Sequence, residues 1–296
     1  MPHNPELSII VPACNEGDNL ADTVSSLLEN TRGIHFELIV VDDGSDDGSA
    51  DRLKQHPDPR LRILSGPRQG PARARNRGAE MANGRLLLFM DAHCYAPQGW
   101  LQPLLDALDD HPGTGVVGPA ISNTQNLRMC GYGGTWRDAR LDMIWLPHAD
   151  QVREVPFQPA GCQLVRREAF TDAGGYDGRM SRWGSEDVEF CIRVWRAGWH
   201  IRVQPASTVA HYFRQKPPYQ IDHYRIIYNR VRMVLMHFEG RRLARILRHQ
   251  FGSAQVEHAL AEQFLDPTTQ ADRTAYQQRF PRSTDWFCDY LGLLPE

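Results

Sequence analysis

Four stretches of this sequence place reactive side chains at spacings that chemistry uses. The first is Met90-Asp91-Ala92-His93. Alternation along an extended backbone turns Asp91 and His93 to one side. A carboxylate and an imidazole there can share one divalent cation, Mn²⁺ or Mg²⁺. A third ligand is needed, and His211 in Val209-Ala210-His211-Tyr212-Phe213-Arg214 supplies it at the end of a later strand-like run. Such an ion neutralises charge developing on a leaving diphosphate. The second stretch, Trp183-Gly184-Ser185-Glu186-Asp187, reads as a helix start capped by Ser185, with acids in its first turn. Ordinary capping explains the acids. The chemical alternative makes Glu186 or Asp187 a general base on an acceptor hydroxyl, with Trp183 as a stacking wall for a sugar ring. The third, Val41-Asp42-Asp43-Gly44-Ser45, ends an apolar run in carboxylates and a turn glycine, where a uracil or ribose could be bound. The fourth, Gly70-Pro71-Ala72-Arg73-Ala74-Arg75-Asn76-Arg77-Gly78, reads as a helix with Arg73 and Arg77 on one face. That face is either simply solvated or able to meet a diphosphate.

These groups need a frame, and the hydrophobic pattern provides one. Residues 7–11, 36–41, 61–64 and 85–90 read as strands, and 18–28 and 71–82 as helices. Strand–helix alternation implies right-handed crossovers and a mostly parallel sheet flanked by helices. Ligands bind such a sheet beyond the carboxyl ends of its strands. The reactive stretches follow Val11, Val41 and Met90, at those ends. Further on, 163–165 and 200–203 read as strands around a helix at 186–197, and 113–119 as a turn-rich joint. The division expected is a nucleotide-binding half (1–115), a catalytic half of the same domain (116–218) and a helical extension (219–296). Within the extension, residues 219–250 read as one or two helices and the remainder as mixed.

The bulk composition excludes several classes. Of 296 residues, 41% are hydrophobic and 23% charged, enough apolar content for a buried core. The net charge of −3 gives no basic footprint for nucleic acid. Six scattered cysteines without a C-x-x-C pair argue against a zinc ribbon or disulfide framework. With no signal-like N-terminus and no apolar run approaching the ~20 residues of a membrane helix, the expectation is a cytoplasmic protein. Arg225, Arg230, Arg232, Arg241, Arg242, Arg245 and Arg248 make the helical extension basic. That segment is either a solvated face or a peripheral contact with the inner face of a membrane.

Taken in order, the motifs are more specific than any one of them. Ile9-Ile10-Val11-Pro12-Ala13-Cys14-Asn15-Glu16, Val41 to Ser45 and Ala74-Arg75-Asn76 resemble glycosyltransferase family 2. Phe89 to Cys94, Trp183 to Glu186, Val209 to Arg214 and Pro218-Tyr219 resemble the catalytic domain of polypeptide N-acetylgalactosaminyltransferases. The resemblance runs from about Ser8 to Tyr219 and implies the GT-A fold. It implies a UDP-sugar donor, with a hexose or N-acetylhexosamine passed to a hydroxyl on a carbohydrate, lipid-linked, peptide or small-molecule acceptor. By it, Asp91, His93 and His211 hold Mn²⁺, and Asp43 touches uridine. Arg73 lies near the nucleotide, and Pro12, Asn15 and Glu16 belong to the donor side. Gly161 lines the donor-sugar pocket, Trp183 and Glu186 face sugar and acceptor, and Lys216-Pro217-Pro218 closes over UDP. Asp187 stands where those retaining enzymes usually carry Asn. A Glu-Asp pair after Trp-Gly resembles inverting β-1,4-galactosyltransferases and chondroitin-type polymerases, in which the Asp is the base. A non-haem iron oxygenase, from the two-His-one-Asp set, and a non-catalytic nucleotide-sugar binding protein are the rival readings.

Overall fold

The computed structural model describes residues 4–216, 218, 220–250 and 252–294. The strands and helices of the first part are β1 (Leu7–Ala13), α1 (Asp18–Asn30), β2 (Phe36–Asp43), α2 (Ser49–Leu53), β3 (Leu61–Gly66), α3 (Pro71–Met81), β4 (Leu86–Met90), β5 (Cys94–Tyr95) and α4 (Gln102–Asp110). There follow β6 (Thr114–Asn123), β7 (Asn126–Gly131), β8 (Gly134–Trp136), β9 (Met143–Trp145), β10 (Arg153–Glu154), β11 (Cys162–Arg166), α5 (Arg167–Ala173), α6 (Glu186–Arg196) and β12 (His200–His211). Among the described residues five helices follow: α7 (His223–His237), α8 (Gly240–Gln250), α9 (Ala254–Leu265), α10 (Pro267–Arg279) and α11 (Thr284–Tyr290).

One sheet runs β10-β12-β6-β11-β4-β1-β2-β3. The pairs among β4, β1, β2 and β3, and the pair β6–β12, are parallel, while β11 lies antiparallel between β4 and β6. Because β11 runs backwards, β4 and β12 point the same way. Met90 and His211 therefore end at one edge of the sheet, beside Cys162 at the start of β11. Both faces are covered, and the side chains sort by parity. Ile10, Ile39, Val41, Leu87 and Phe89 pack under α3, α5, α6 and the C-terminal helices. Ile9, Val11, Leu38, Val40, Leu88 and Met90 pack under α1, α2 and α4. Each such fully buried aliphatic side chain is worth roughly 1.5–3 kcal/mol. α3 reaches its sheet closely because Gly78 carries no side chain, and a Cβ there would stand 2.4 Å from Ile10 Cγ2.

Two expectations are corrected. The stretch 113–119 is not turn-rich: past Gly113, Thr114 to Pro119 form the first half of β6, buried between β11 and β12. The glycines that mimic turns there serve close packing, since a Cβ on Gly115 would meet Trp199 and Ala169 and one on Gly118 would meet Gln158. The segment beyond Gln250 is not mixed but three helices, α9, α10 and α11. The strand expected at 200–203 extends to His211, with a register shift between Gln204 and Thr208, where Pro205 cannot donate to a ladder. Among the described residues no helix is long and apolar enough to cross a membrane.

The C-terminal helices are keyed to the sheet domain by buried charge. Arg193 of α6 pairs with Glu189 at 2.5 Å, and the His237 ring of α7 stands 2.9 Å from Glu189. Arg196 donates to His237 Nδ1 at 3.1 Å. An arginine can only donate, so Nδ1 accepts and the His237 proton sits on Nε2, facing Glu189. Arg232 is buried against Asp177 and Asp272, and Arg242 pairs with Asp285 and Asp289. Arg225 faces Glu262 and Arg230 faces Asp142. Much of the basic composition of this segment is thus matched by carboxylates within the molecule.

Burial, with the Arg196 and Arg193 charges, holds the His237 imidazole below its ordinary value despite Glu189. Against the penalty of burial, Arg193 and His237 hold the Glu189 carboxyl down at about 2. Both depressions have the same sign for stability. As pH falls below about 6.5, an unfolded histidine takes a proton that folded His237 refuses. Glu189 extends the loss at lower pH. The urea midpoint is expected to fall between pH 7.5 and 5.5, and to fall less in His237→Gln. Parallel pH profiles for the two proteins would remove His237 from the account.

Candidate functional site

The site lies where β1, β2, β4 and β12 end, and the chain builds it by folding β4 back on itself. Past Met90, the Asp91 amide donates to Gly161 O at 3.3 Å, and Cys94 N closes a tight turn on Asp91 O at 3.1 Å. β5 then pairs with the end of β12, placing Cys94 opposite His211, and Tyr212 N donates to His93 O at 3.0 Å. This ladder sets the His93 and His211 rings edge to face, 4.7 Å between centroids. His211 Nε2 stands 3.9 Å from Asp91 Oδ2. One ligand atom from each of Asp91, His93 and His211 falls within a common 4.8 Å.

The surroundings of this trio fit a divalent cation. Glu16 Oε2 lies 3.2 Å from His93 Nδ1 and also pairs with Arg214. When His93 donates from Nδ1 to Glu16, its Nε2 lone pair is left for a cation, the usual carboxylate–histidine arrangement around a metal. His211 Nδ1 is buried and finds no hydrogen-bond partner among the described residues. Burial opposes charge on Asp91. The nearby His211 ring and the charges of Arg75 and His93 outweigh it, holding the carboxyl well below the usual range. Sequence reasoning counted Glu16 with the nucleotide; in the structure its carboxylate lies against His93 and Arg214.

Arg75 is the residue that reading the sequence for chemistry passed over. Its Nη2 donates to Asp91 Oδ1 and its Nη1 to Glu186 Oε1, both at 2.9 Å, and it is only 3% exposed. The signal was present: in α3 the buried positions are Ala72, Ala74, Arg75, Gly78 and Ala79, and an arginine among small residues on a buried face is unusual. Arg73 and Arg77, expected to share a face, are each held by a backbone carbonyl. Arg73 is exposed, with Nε on Gly178 O at 2.7 Å, and Arg77 donates to Ser65 O at 2.8 Å.

Glu186 and Asp187 open α6, but Ser185 does not cap it with its hydroxyl. Ser185 sits in the left-handed region (φ 67°), as do Arg182 (φ 65°) and, further out, Gly184 (φ 126°). The strained turn is pinned from two sides. Asn229 of α7 donates to Ser181 O and Gly184 O, and Gly184 N donates to Glu186 Oε2 at 2.8 Å. Glu186, 2% exposed, therefore has both oxygens engaged. Burial pushes its carboxyl up, the Arg75 charge opposing. Asp187 is half-buried and accepts from Val188 N at 2.8 Å and Ala160 N at 3.2 Å. That second bond seats it beside Gly161, whose missing side chain leaves room next to the His211 ring. Trp183 projects at the rim, 53% exposed.

Asp43 stands apart from the cation ligands. Its two oxygens accept from Gln69 N at 2.7 Å and Gly70 N at 2.8 Å, tying the end of β2 to the start of α3. Burial pushes its carboxyl above the usual range, those amides and the charges of Arg68 and Arg182 opposing. Asn15 joins the same rim through Ser45 and Asp46, and Pro12 sits at the end of β1 opposite Val41. Of the segment expected to close over UDP, Lys216 and Pro218 are exposed, while Pro217 lies outside the described residues, as does Tyr219.

With this geometry in hand, the chain can be set beside known proteins. The family model for glycosyl transferase family 2 matches residues 8–174, and one described as the N-terminal domain of galactosyltransferase matches 157–217. Mouse (Mus musculus) polypeptide N-acetylgalactosaminyltransferase 12 is 34% identical over 238 residues, 73% of this chain and 41% of that protein. The chain thus spans about two fifths of the length of the curated relatives it matches. Among solved structures, GalNAc-T7 with UDP, GalNAc and Mn²⁺ superposes with a TM-score of 0.77 at 20% identity, covering 99% of this chain and 57% of that one. TarS 1-349 of S. aureus in complex with UDP-GlcNAc gives 0.63 at 16% identity, covering 97% and 92%. These likenesses bear out the GT-A fold expected from the motifs.

The Glu16–His93 contact makes a direct prediction. Glu16→Gln should weaken Mn²⁺ binding by about 10–100-fold while leaving the ligands in place, measured by electron paramagnetic resonance of free Mn²⁺. Unchanged affinity would mean that Glu16 serves only Arg214.

Proposed function

The chain belongs to glycosyl transferase family 2, and from that premise we propose that it moves an N-acetylhexosamine or hexose from a UDP-sugar to an acceptor hydroxyl, with a divalent cation. The observation that carries this is the convergence of Asp91, His93 and His211 at the carboxyl edge of the sheet, with Glu16 behind His93. Supporting the donor class, the solved neighbours hold UDP with GalNAc and UDP-GlcNAc. A bound Mn²⁺ would supply charge neutralisation to the leaving diphosphate. The protein's own groups do the rest. Asp43 and the rim formed by Asn15 and Pro12 stand where a nucleotide would lie across the strand ends. Trp183 offers an exposed face on which an acceptor ring can stack. Asp187, whose neighbour Glu186 is fully engaged, takes the proton of the attacking hydroxyl, which then displaces UDP in line with inversion at C1.

Retention is the second reading, and the 34% identity to polypeptide N-acetylgalactosaminyltransferases favours it. The anomeric configuration of the first product, read by NMR, decides between the two. Cytoplasmic placement belongs to the same proposal and is supported by six cysteines that are all unpaired.

Calorimetry is expected to show UDP binding that requires Mn²⁺ and is lost in His211→Ala. Asp187→Asn should keep UDP affinity and lose about 10²–10⁴-fold in transfer rate. UDP binding indifferent to EDTA would overturn the cation-dependent reading, and an Asp187→Asn enzyme of normal rate would remove the base.

A further inference from the structure

We propose that Arg75 is a positioning residue that holds the cation ligand Asp91 and the acceptor-side turn at Glu186 in one fixed relation. The proposal rests on the cation-site reading above. A guanidinium is planar, and its two Nη atoms sit at a set separation. Bonding Asp91 with one and Glu186 with the other, each at 2.9 Å, fixes how far apart those carboxylates stand. The guanidinium itself cannot wander. It lies 5.2 Å from the centre of the Tyr176 ring, and the Tyr176 hydroxyl donates to Gln163 on β11 at 2.7 Å. Tyr176 is tied in turn to α3, through Asn76 on both its amide and its carbonyl.

Each end of the bridge has a consequence. At Asp91, Arg75 takes Oδ1 and leaves Oδ2 toward His211. At Glu186, the second oxygen holds Gly184 N at 2.8 Å, so the turn carrying Trp183 is fixed from the same guanidinium. Asp187 is the next residue, and a shift of Glu186 moves it off Ala160. A lysine keeps the charge but offers no rigid fork, so it cannot hold both carboxylates in register.

A merely structural ion pair between α3 and α6 would lower stability and leave the folded site unchanged. The test therefore reads the site. Arg75→Lys and Glu186→Gln are compared with wild type, with near-UV circular dichroism as the check of folding. The readouts are Mn²⁺ affinity by paramagnetic resonance, UDP affinity by calorimetry, and kcat and KM for transfer. Arg75→Lys is expected to weaken Mn²⁺ by about 10–100-fold and to lower kcat more than it raises the acceptor KM. Glu186→Gln should leave Mn²⁺ and UDP affinities within about threefold and lower kcat by about tenfold, from displacement of the turn alone. Folded Arg75→Lys with wild-type Mn²⁺ affinity and kcat overturns the proposal. If Arg75→Lys does not fold, Glu186→Gln decides: normal kcat overturns it, and a fall with intact Mn²⁺ and UDP binding supports it. Wild type that binds no Mn²⁺ sinks the cation reading itself, which the variant results alone do not touch.

Discussion

A guanidinium buried between two carboxylates is costly to make, and much of the fold answers that cost. Taking one ion out of water costs several kcal/mol even after relaxation, and Arg75, Glu186 and Asp91 are all sheltered. The outlay is met only where geometry is good and the remaining polar atoms are satisfied. Here both Nη groups are matched and the Tyr176 ring adds its negative face, yet Arg75 Nε is left without a partner among the described residues. Replacing the set with apolar residues could stabilise the protein as well.

The C-terminal helices bear on the same point. They contribute none of the residues assigned to cation or base, but they brace the segment behind the site. Arg232 of α7 binds Asp177, Arg179 and Arg232 share Asp272 of α10, and Asn229 holds the carbonyls of Ser181 and Gly184. The segment from Tyr176 to Ser185 is thus clamped between α3 on one side and α7 and α10 on the other. Left-handed conformations at Arg182 and Ser185 cost of order 1–3 kcal/mol each and persist only where surroundings over-determine them. The helical extension is that surrounding.

What the sequence revealed follows from how local each feature is. The strands β1, β2 and β4 were legible because parity and apolar runs are local, although β1 and β2 run on to Ala13 and Asp43, and so was the pairing of Asp91 with His93. His211 could be joined to them by motif order, although its approach depends on β5 pairing with β12 across more than a hundred residues. Residues 113–119 misled because glycine marks a turn and close packing alike, and only the neighbours of Gly115 and Gly118 tell which. Arg75 was overlooked for the opposite reason. Arg73 and Arg77 looked functional by sharing a face, while the arginine turned inward was the one paired with the carboxylates of the site. Long-range partners, Glu186 lying 111 residues from Arg75, leave no periodicity to read.

Two adjacent carboxylates at one helix start therefore come to differ by environment alone. Glu186 is directed inward, where Arg75 and the Gly184 amide take its oxygens. Asp187, one residue on, leans on backbone amides of Val188 and Ala160 at the margin of the site. Backbone amides leave a carboxylate oxygen a lone pair for a further donor, such as an incoming hydroxyl, and they do not compete for its proton. A guanidinium in a closed site has no room for that exchange. Proteins separate the roles of neighbouring acids by such differences in surroundings. The helix turn of about 100° between successive residues makes the division available at no cost in chain length: one acid faces the core and anchors, and the next keeps the acceptor capacity that the proposed base role requires.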